Sequence, residues 1–188
     1  MQWFRRARPA DASWNVAKTA LQVVLFWGLF LFVIPPVIVD AASAVGYPPR
    51  PTAFLRMVGV TLFAVASALG LLSAFTMAFH GAGTPLPLDA PRALVVSGPY
   101  AWVRNPMALA GLTQGIALAL WHGSIAIVGY VIAGGMLWHV AVRPFEEVDL
   151  ARQFGSAFFE YKHRVPLWLP RRPQRSGAAA RPHSPGHQ

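Results

Sequence analysis

Three long stretches of this chain contain no Asp, Glu, Lys or Arg: residues 19–39, 57–79 and 107–142. The hydrocarbon core of a bilayer is about 30 Å thick, and a helix of about 20 apolar residues spans it. The first two stretches therefore predict one membrane-spanning helix each. The third is too long for one crossing and is interrupted by polar and glycine residues at 122–124, so it predicts a helical hairpin.

The overall composition also indicates an integral membrane protein. Hydrophobic residues make up 55% of the chain, charged residues only 12%, and the mean hydropathy is +0.43. We expect an all-α membrane protein with about four transmembrane helices, the last two forming the hairpin. The net charge of +9 fits anionic lipid head groups better than nucleic acid, because many basic residues flank the apolar stretches. The absence of cysteine excludes disulfides and cysteine nucleophiles.

Basic residues predict the orientation of the chain. Arg5, Arg6, Arg8 and Lys18 precede the first apolar stretch, and eight Lys and Arg residues follow the third. Both termini are therefore expected in the cytoplasm, together with the segment 80–104. The predicted parts of the chain are a basic N-terminus (1–18), two transmembrane helices (19–79), a region with the hairpin and a following helix (80–170), and a basic tail expected to be disordered (171–188).

Apolar residues recur at helical spacing after the third stretch, namely Leu150, Phe154, Phe158 and Tyr161. Polar residues occupy the other faces, which predicts an amphipathic helix. We expect it to lie flat at the cytoplasmic interface, with its aromatic side chains in the acyl region. Gly155 in its middle lowers its intrinsic stability.

A polar cluster lies at the end of the third apolar stretch. His139, Arg143, Glu146 and Glu147 are spaced by three and four residues, so a continuous helix would place them on one face. Arg143 could mark the membrane boundary and pair with Glu147. Two adjacent carboxylates at the edge of an apolar segment must, however, be hydrated, paired or bound to a cation. The spacing alone leaves a structural and a functional reading open.

Several short motifs in the second half of the chain carry a family resemblance. In chain order they are Gly98-Pro99-Tyr100, Arg104-Asn105-Pro106, the apolar hairpin, Glu146-Glu147, Phe154-Gly155 and Arg164-Val165-Pro166. This order and separation resemble the C-terminal half of isoprenylcysteine carboxyl methyltransferases, a group that includes phospholipid methyltransferases and small bacterial membrane proteins. The resemblance covers roughly residues 81–170.

The resemblance implies a pocket for S-adenosylmethionine within region 80–170. The family pattern reads Arg-His-Pro, a Tyr two residues beyond the proline, then a Gly, and a distal Glu-Glu pair. The positions that match it are Arg104, Pro106, Gly111, Glu146 and Glu147. Asn105 replaces the histidine and Ala108 the tyrosine, which resembles the bacterial branch and weakens the case for a prenyl-cysteine substrate. The remaining cofactor-binding candidates are Tyr100, Asn105 and His139.

The resemblance also implies roles for individual residues. Carboxylates suit the ammonium group of S-adenosylmethionine, and an arginine suits its carboxylate. Methyl transfer to a lipophilic acceptor from the bilayer depends on removal of water and on orientation. Arg143, beside Glu147, is the candidate to hold a carboxylate acceptor, and we take these two as the catalytic pair. His139 would be the nearest base for an amine or thiol acceptor.

Other readings of the same residues remain open. Gly111 and Gly115 form a small-residue stripe, and for Gly111 we favour helix packing over cofactor contact. The histidines show no ligand spacing such as HExxH, so no metal site is predicted. A non-catalytic lipid- or partner-binding protein of the same fold, or a nicotinamide-dependent membrane reductase, is the alternative function. Resemblance to the bacterial branch implies a bacterial inner membrane as the location.

Overall fold

The computed structural model describes residues 12–81 and 92–171, so most of the predicted basic N-terminus and nearly all of the predicted tail lie outside the described residues. Within these two ranges every regular element is a helix, and none is a strand. In chain order the elements are α1 (Ala12–Trp27), a π-helical turn (Gly28–Val33), α2 (Ile34–Ala44), α3 (Ala53–His80), a 3₁₀ turn (Gly98–Ala101), α4 (Pro106–His122), α5 (Ile125–Leu137), a second π-helical turn (Trp138–Val142), α6 (Arg143–Phe154) and α7 (Ser156–Arg164).

Three continuous helical segments in the described ranges are long and apolar enough to cross a membrane: Val16–Ala44, Ala53–His80 and Ile125–Phe154. Helix α4 has 17 residues and rises about 25 Å, which is less than a bilayer core of about 30 Å. Length alone therefore supports three spans, against the predicted count of about four. Many large apolar side chains on these segments are exposed, for example Leu25 and Met136, as expected for lipid-facing positions.

Each π-helical turn ends two residues before a proline, Pro35 or Pro144. The Ile34 N–H donates to the Leu29 carbonyl, five residues earlier, and the second turn repeats this pattern before Pro144. In an ordinary α-helix a proline ring clashes with the carbonyl four residues earlier, and the wider π turn moves that carbonyl away. The sequence predicts a break or kink in the last turn at Pro35. The structure shows no break there, because the helix continues to Ala44.

Helices α3 and α4 form the largest interface in the bundle, and small residues make it possible. A Cβ atom at Gly59 would lie only 2.7 Å from the Ala117 carbonyl oxygen, so the two backbones are in contact. Helix α4 turns into α5 at Gly123, whose φ of +61° is in the left-handed region that favours glycine. This turn lies at the predicted interruption of the third apolar stretch.

The segment after the membrane-spanning part differs from the single amphipathic helix that the sequence predicts. Gly155, with φ +53°, separates α6 from α7. Phe158 and Tyr161 are buried in a cluster with Val165, against partly buried apolar side chains that include Leu94. These aromatic side chains therefore pack inside the protein. The periodicity could not distinguish burial in the protein from burial in lipid, because both require the same apolar face.

We predict that Gly59→Ala lowers the free energy of unfolding by about 1–3 kcal/mol, because the added methyl group must push α3 away from α4. Gly129→Ala is the matched control, since a Cβ atom there would meet nothing within 4 Å. Both changes add the same helix propensity. Thermal unfolding in detergent, followed by tryptophan fluorescence, measures the difference. Equal transitions for the two variants would contradict the close contact.

Candidate functional site

A cavity of about 540 Å³ lies between α1, α4, α5 and α6, beneath the 3₁₀ turn. Its polar lining residues are Thr19, Gln22, Tyr100, Arg104, Asn105, Gln114, Tyr130, Glu146, Asp149 and Gln153. Its apolar lining includes Phe26, Trp27, Phe30, Leu31, Leu112, Val131 and Trp138. The charged members come from the loop before α4 and from α6, so one end of the cavity is ionic. We call this the polar end. The volume is within the range of about 300–1,000 Å³ typical of small-molecule sites.

The loop that enters α4 is held in place by the C-terminal segment. The Tyr161 hydroxyl donates to the Tyr100 carbonyl at 2.8 Å, and the Arg104 N–H donates to the Pro166 carbonyl at 2.9 Å. The Arg171 N–H bonds to the carbonyl of Trp102 at 3.0 Å. Burial raises the pKa of the Tyr161 phenol above its usual range, so this group stays protonated and remains a donor. The loop backbone is therefore fixed at the polar end.

Asn105 and Pro106 form the start of α4. The Asn105 side-chain oxygen accepts a hydrogen bond from the Ala108 N–H at 3.0 Å, and Pro106 occupies the first helical turn. This is an N-cap followed by a proline, both favoured at helix starts. The asparagine that replaces the histidine of the family pattern thus has a structural role, and the residue also lines the cavity.

Glu147 is the centre of an ion-pair cluster. Its Oε1 lies 2.7 Å from Arg104 Nη1 and 3.3 Å from Arg143 Nη1, and its Oε2 lies 2.7 Å from Lys162 Nζ. The Glu147 side chain is 15% exposed and that of Arg104 is 13% exposed. Partial burial strengthens these charge-assisted hydrogen bonds relative to a surface pair. One carboxylate therefore joins the loop before α4, helix α6 and helix α7.

Glu146 has a different environment from its neighbour. Successive residues of an α-helix are rotated by about 100°, so adjacent side chains point to different faces. Glu146 lines the cavity, and no cation in the described ranges forms an ion pair with it. The prediction that the two glutamates share one face is therefore wrong: Glu146 lines the cavity, and Glu147 belongs to the ion-pair cluster.

Arg104 belongs to both environments. Its Nη1 donates to Glu147, while the residue itself lines the cavity. Its Nε atom is buried and has no hydrogen-bond partner among the described residues. A buried guanidinium N–H without a partner is costly, and an anionic group in the cavity could satisfy it.

The structure brings some of the predicted site residues to the cavity and leaves others outside it. Those that line it are Tyr100, Arg104, Asn105, Gly111 and Glu146, and those that do not are Pro106, His139, Arg143 and Glu147. The His139 Nδ1 accepts a hydrogen bond from Trp168 Nε1 at 3.3 Å. A Cβ atom at Gly111 would meet nothing within 4 Å, so the packing role favoured for it is wrong, whereas Gly115 does pack against Val131.

Sequence reasoning missed six polar residues of the cavity, namely Thr19, Gln22, Gln114, Tyr130, Asp149 and Gln153. Gln114 carried a usable signal, because it is an amide in the middle of an uncharged stretch, where a polar side chain needs a partner. Asp149 and Gln153 are among the polar residues on the other faces of the predicted amphipathic helix, a pattern that does not indicate a cavity. The position of α1 beside the hairpin, which brings Thr19 to the cavity, has no signal in the sequence.

Comparisons with known proteins agree with the resemblance found in the sequence. A family model described as phospholipid methyltransferase matches residues 54–157. A protein-S-isoprenylcysteine O-methyltransferase of Xenopus laevis is 33% identical over 78 residues, which are 41% of this chain and 27% of the relative. The matched segment thus spans little more than a quarter of that relative's length. No solved structure gives a significant match.

We predict that Glu147→Gln destabilises the protein by about 2–4 kcal/mol, because Arg104 and Arg143 lose a partly buried counter-charge. Asp149→Asn is the control, since its ion pair with Arg152 is longer, at 3.7 Å, and the Arg152 side chain is 66% exposed, so that the pair is expected to contribute less than about 1 kcal/mol. Thermal unfolding of both variants measures the difference. Similar losses would show that Glu147 is not the centre of the site's structure.

We also predict that Tyr161→Phe costs about 1–3 kcal/mol, because it leaves the Tyr100 carbonyl without its hydrogen bond. Tyr47→Phe, at an exposed loop position, provides the control. The same unfolding assay applies, and limited proteolysis of the loop between 98 and 105 adds a local measurement. Proteolysis as slow as in the wild type would mean that the hydrogen bond does not hold the loop.

Proposed function

Because this chain belongs to the phospholipid methyltransferase family, whose model covers more than half of it, we propose that it is an S-adenosylmethionine-dependent membrane methyltransferase that acts on a lipophilic acceptor. One observation carries the proposal: a single cavity has a charged end, with Arg104 and Glu146, and an apolar interior formed by the membrane helices. The two reactants of such an enzyme match these two parts, because S-adenosylmethionine is charged and the acceptor is lipophilic.

The polar end fits the amino-acid part of S-adenosylmethionine. The unpartnered Arg104 Nε is a donor for a carboxylate, and the Glu146 carboxylate is an acceptor for an ammonium group. The backbone at Tyr100 is fixed by its hydrogen bond from Tyr161, so the wall of the site is rigid. Ala108, where the family pattern has a tyrosine, also lines the cavity and leaves space there.

The apolar interior fits a lipophilic acceptor. Its apolar lining comes from the first membrane segment, with Phe26, Trp27 and Phe30, and from the hairpin, with Leu112 and Val131. These side chains exclude water, which favours a reaction in which opposite charges are neutralised. A lipophilic molecule could reach this region directly from the bilayer. The acceptor would then meet the methyl donor at the boundary between the apolar and polar parts.

We assign Glu147 and Arg143 a positioning role. Neither lines the cavity, but Glu147 holds the Arg104 guanidinium at 2.7 Å and thereby fixes the arginine that faces the ligand. This positioning role replaces the expectation that Arg143 and Glu147 contact the acceptor directly. His139 is engaged by Trp168 outside the cavity, so it is a poor candidate for a base.

S-adenosylmethionine supplies, when bound, an electrophilic methyl group on a positively charged sulfur. The residues of this chain orient the donor and acceptor in line and exclude water from the reacting atoms. A carboxylate acceptor needs no base. If the acceptor is a protonated amine or a thiol, its proton must leave, and Glu146 and Asp149 are the carboxylates that line the cavity.

We place the polar end at the cytoplasmic surface, where the donor is available, because the basic residues of the chain predict this orientation. In this arrangement α4 is a fourth crossing that reaches only part of the way, with Asn105 and Pro106 at its cytoplasmic start. The bacterial inner membrane remains the proposed location. Anionic head groups at the same surface would meet the basic residues that flank the helices.

We predict that S-adenosylmethionine binds saturably to the protein in nanodiscs and that Glu146→Gln weakens this binding about 10- to 100-fold, the loss expected for one charge-assisted hydrogen bond. Glu160→Gln, at an exposed position of α7, is the matched control and should bind as the wild type does. Calorimetric titration measures both. Absence of binding to a folded wild type would exclude the proposed function, and equal binding by both variants would exclude the proposed site.

A further inference from the structure

The amide of Gln114 lies in the apolar part of the cavity. It is fully buried, and its Nε2 donates to the Ser67 hydroxyl of α3 at 2.9 Å. Its Oε1 atom has no hydrogen-bond partner anywhere in the described ranges, although Gln114 lines the cavity. It is eight residues beyond Pro106, which places it about 12 Å farther along α4.

This arrangement is costly for the protein alone. A buried polar atom without a hydrogen bond costs about 1–3 kcal/mol, and a methionine or leucine would fill similar space without this cost. A bound water needs two to four polar partners. No donor among the described residues reaches this oxygen. A ligand that brings a donor into the cavity would remove the cost.

We propose that Gln114 is a specificity-determining residue for the methyl acceptor. Its Oε1 accepts a hydrogen bond from a hydroxyl or N–H group carried by the otherwise apolar part of that molecule. This inference rests on the proposed function, since it takes the cavity as the acceptor site. It favours a lipophilic alcohol, phenol or amide over an unsubstituted prenyl or alkyl chain, which has no donor to offer.

Binding of a matched pair of probes tests the inference. 2-Naphthol has a hydroxyl donor, whereas 2-methoxynaphthalene has the same ring system and oxygen but no donor. Trp27 and Trp138 line the cavity and report binding through their fluorescence in nanodiscs. For each protein we take the ratio of the dissociation constants of the two probes. This ratio is then compared between wild type and Gln114→Met, so that the partition of the probes into lipid cancels. We expect the wild type to prefer the naphthol about 3- to 10-fold more than the variant does, the effect of one hydrogen bond.

The control variant is Thr113→Val, which removes a hydroxyl at the adjacent position. Thr113 bonds to the Leu109 carbonyl of its own helix and does not line the cavity, so its replacement should leave the preference unchanged. Gln114→Leu is a second variant in case the first does not fold. Equal ratios in wild type and Gln114 variants, or the same loss with Thr113→Val, would overturn the inference.

Titration of the same preparations with S-adenosylmethionine separates this inference from the proposed function. Gln114→Met should bind S-adenosylmethionine with wild-type affinity, because Gln114 is remote from the polar end. A wild type that binds no S-adenosylmethionine but still distinguishes the two probes would refute the methyltransferase proposal alone. A wild type that binds S-adenosylmethionine and does not distinguish the probes would refute only the role of Gln114.

Discussion

The structure of the site depends on one carboxylate, Glu147, which neutralises cations from separate parts of the chain. Arg104 comes from the loop before α4, Arg143 from one helical turn earlier on α6, and Lys162 from α7. Two partly buried arginines could not approach each other so closely without a negative charge between them. This cluster brings the C-terminal helices against the loop, and the hydrogen bonds from Tyr161 and to Pro166 then fix the loop backbone.

The cluster also explains how a charged cavity wall can exist beside apolar helices. Glu147 holds Nη1 of the Arg104 guanidinium, while Arg104 Nε is buried without a partner among the described residues and the residue lines the cavity. Glu146, rotated away from its neighbour, supplies a carboxylate without an ion pair in the described part of the chain. Arg104 and Glu146 thus line the same end of the cavity, and the membrane helices line the rest of it with apolar side chains. The cavity has one charged end and one apolar end because the two adjacent glutamates of α6 point in different directions.

Much of the fold could be predicted from the sequence, since bilayer thickness and uncharged length decide where helices lie. The turn near Gly123 was predicted because polar and glycine residues interrupt an otherwise apolar stretch. The passage of the first helix through Pro35 was not, because a π turn depends on hydrogen bonds that no residue pattern shows. Gly155 alone does not predict the separation of α6 from α7, because glycine is also tolerated within helices at a modest cost.

Less of the candidate site could be predicted. The resemblance implies that Arg104 and Glu146 bind the cofactor, and both residues line the cavity, but spacing alone could not separate the orientation of Glu146 from that of Glu147. The contribution of Thr19 depends on which face of the first helix meets the hairpin, and lipid-facing and protein-facing residues are equally apolar in a membrane helix. Gln114 is visible in the sequence as an amide within an uncharged stretch, but its relation to the cavity requires its burial and its unpaired oxygen to be known.

The central claim is that this cavity brings a methyl donor at its polar end to a lipophilic acceptor from the bilayer. The most direct measurement is transfer of tritium from the methyl group of S-adenosylmethionine into the organic-solvent extract of membranes that contain the protein. The account predicts labelled lipophilic product with the wild type and with Glu160→Gln, and little or none with Glu146→Gln. Label that is independent of Glu146, or no label from a folded wild type in its native membranes, would contradict the account.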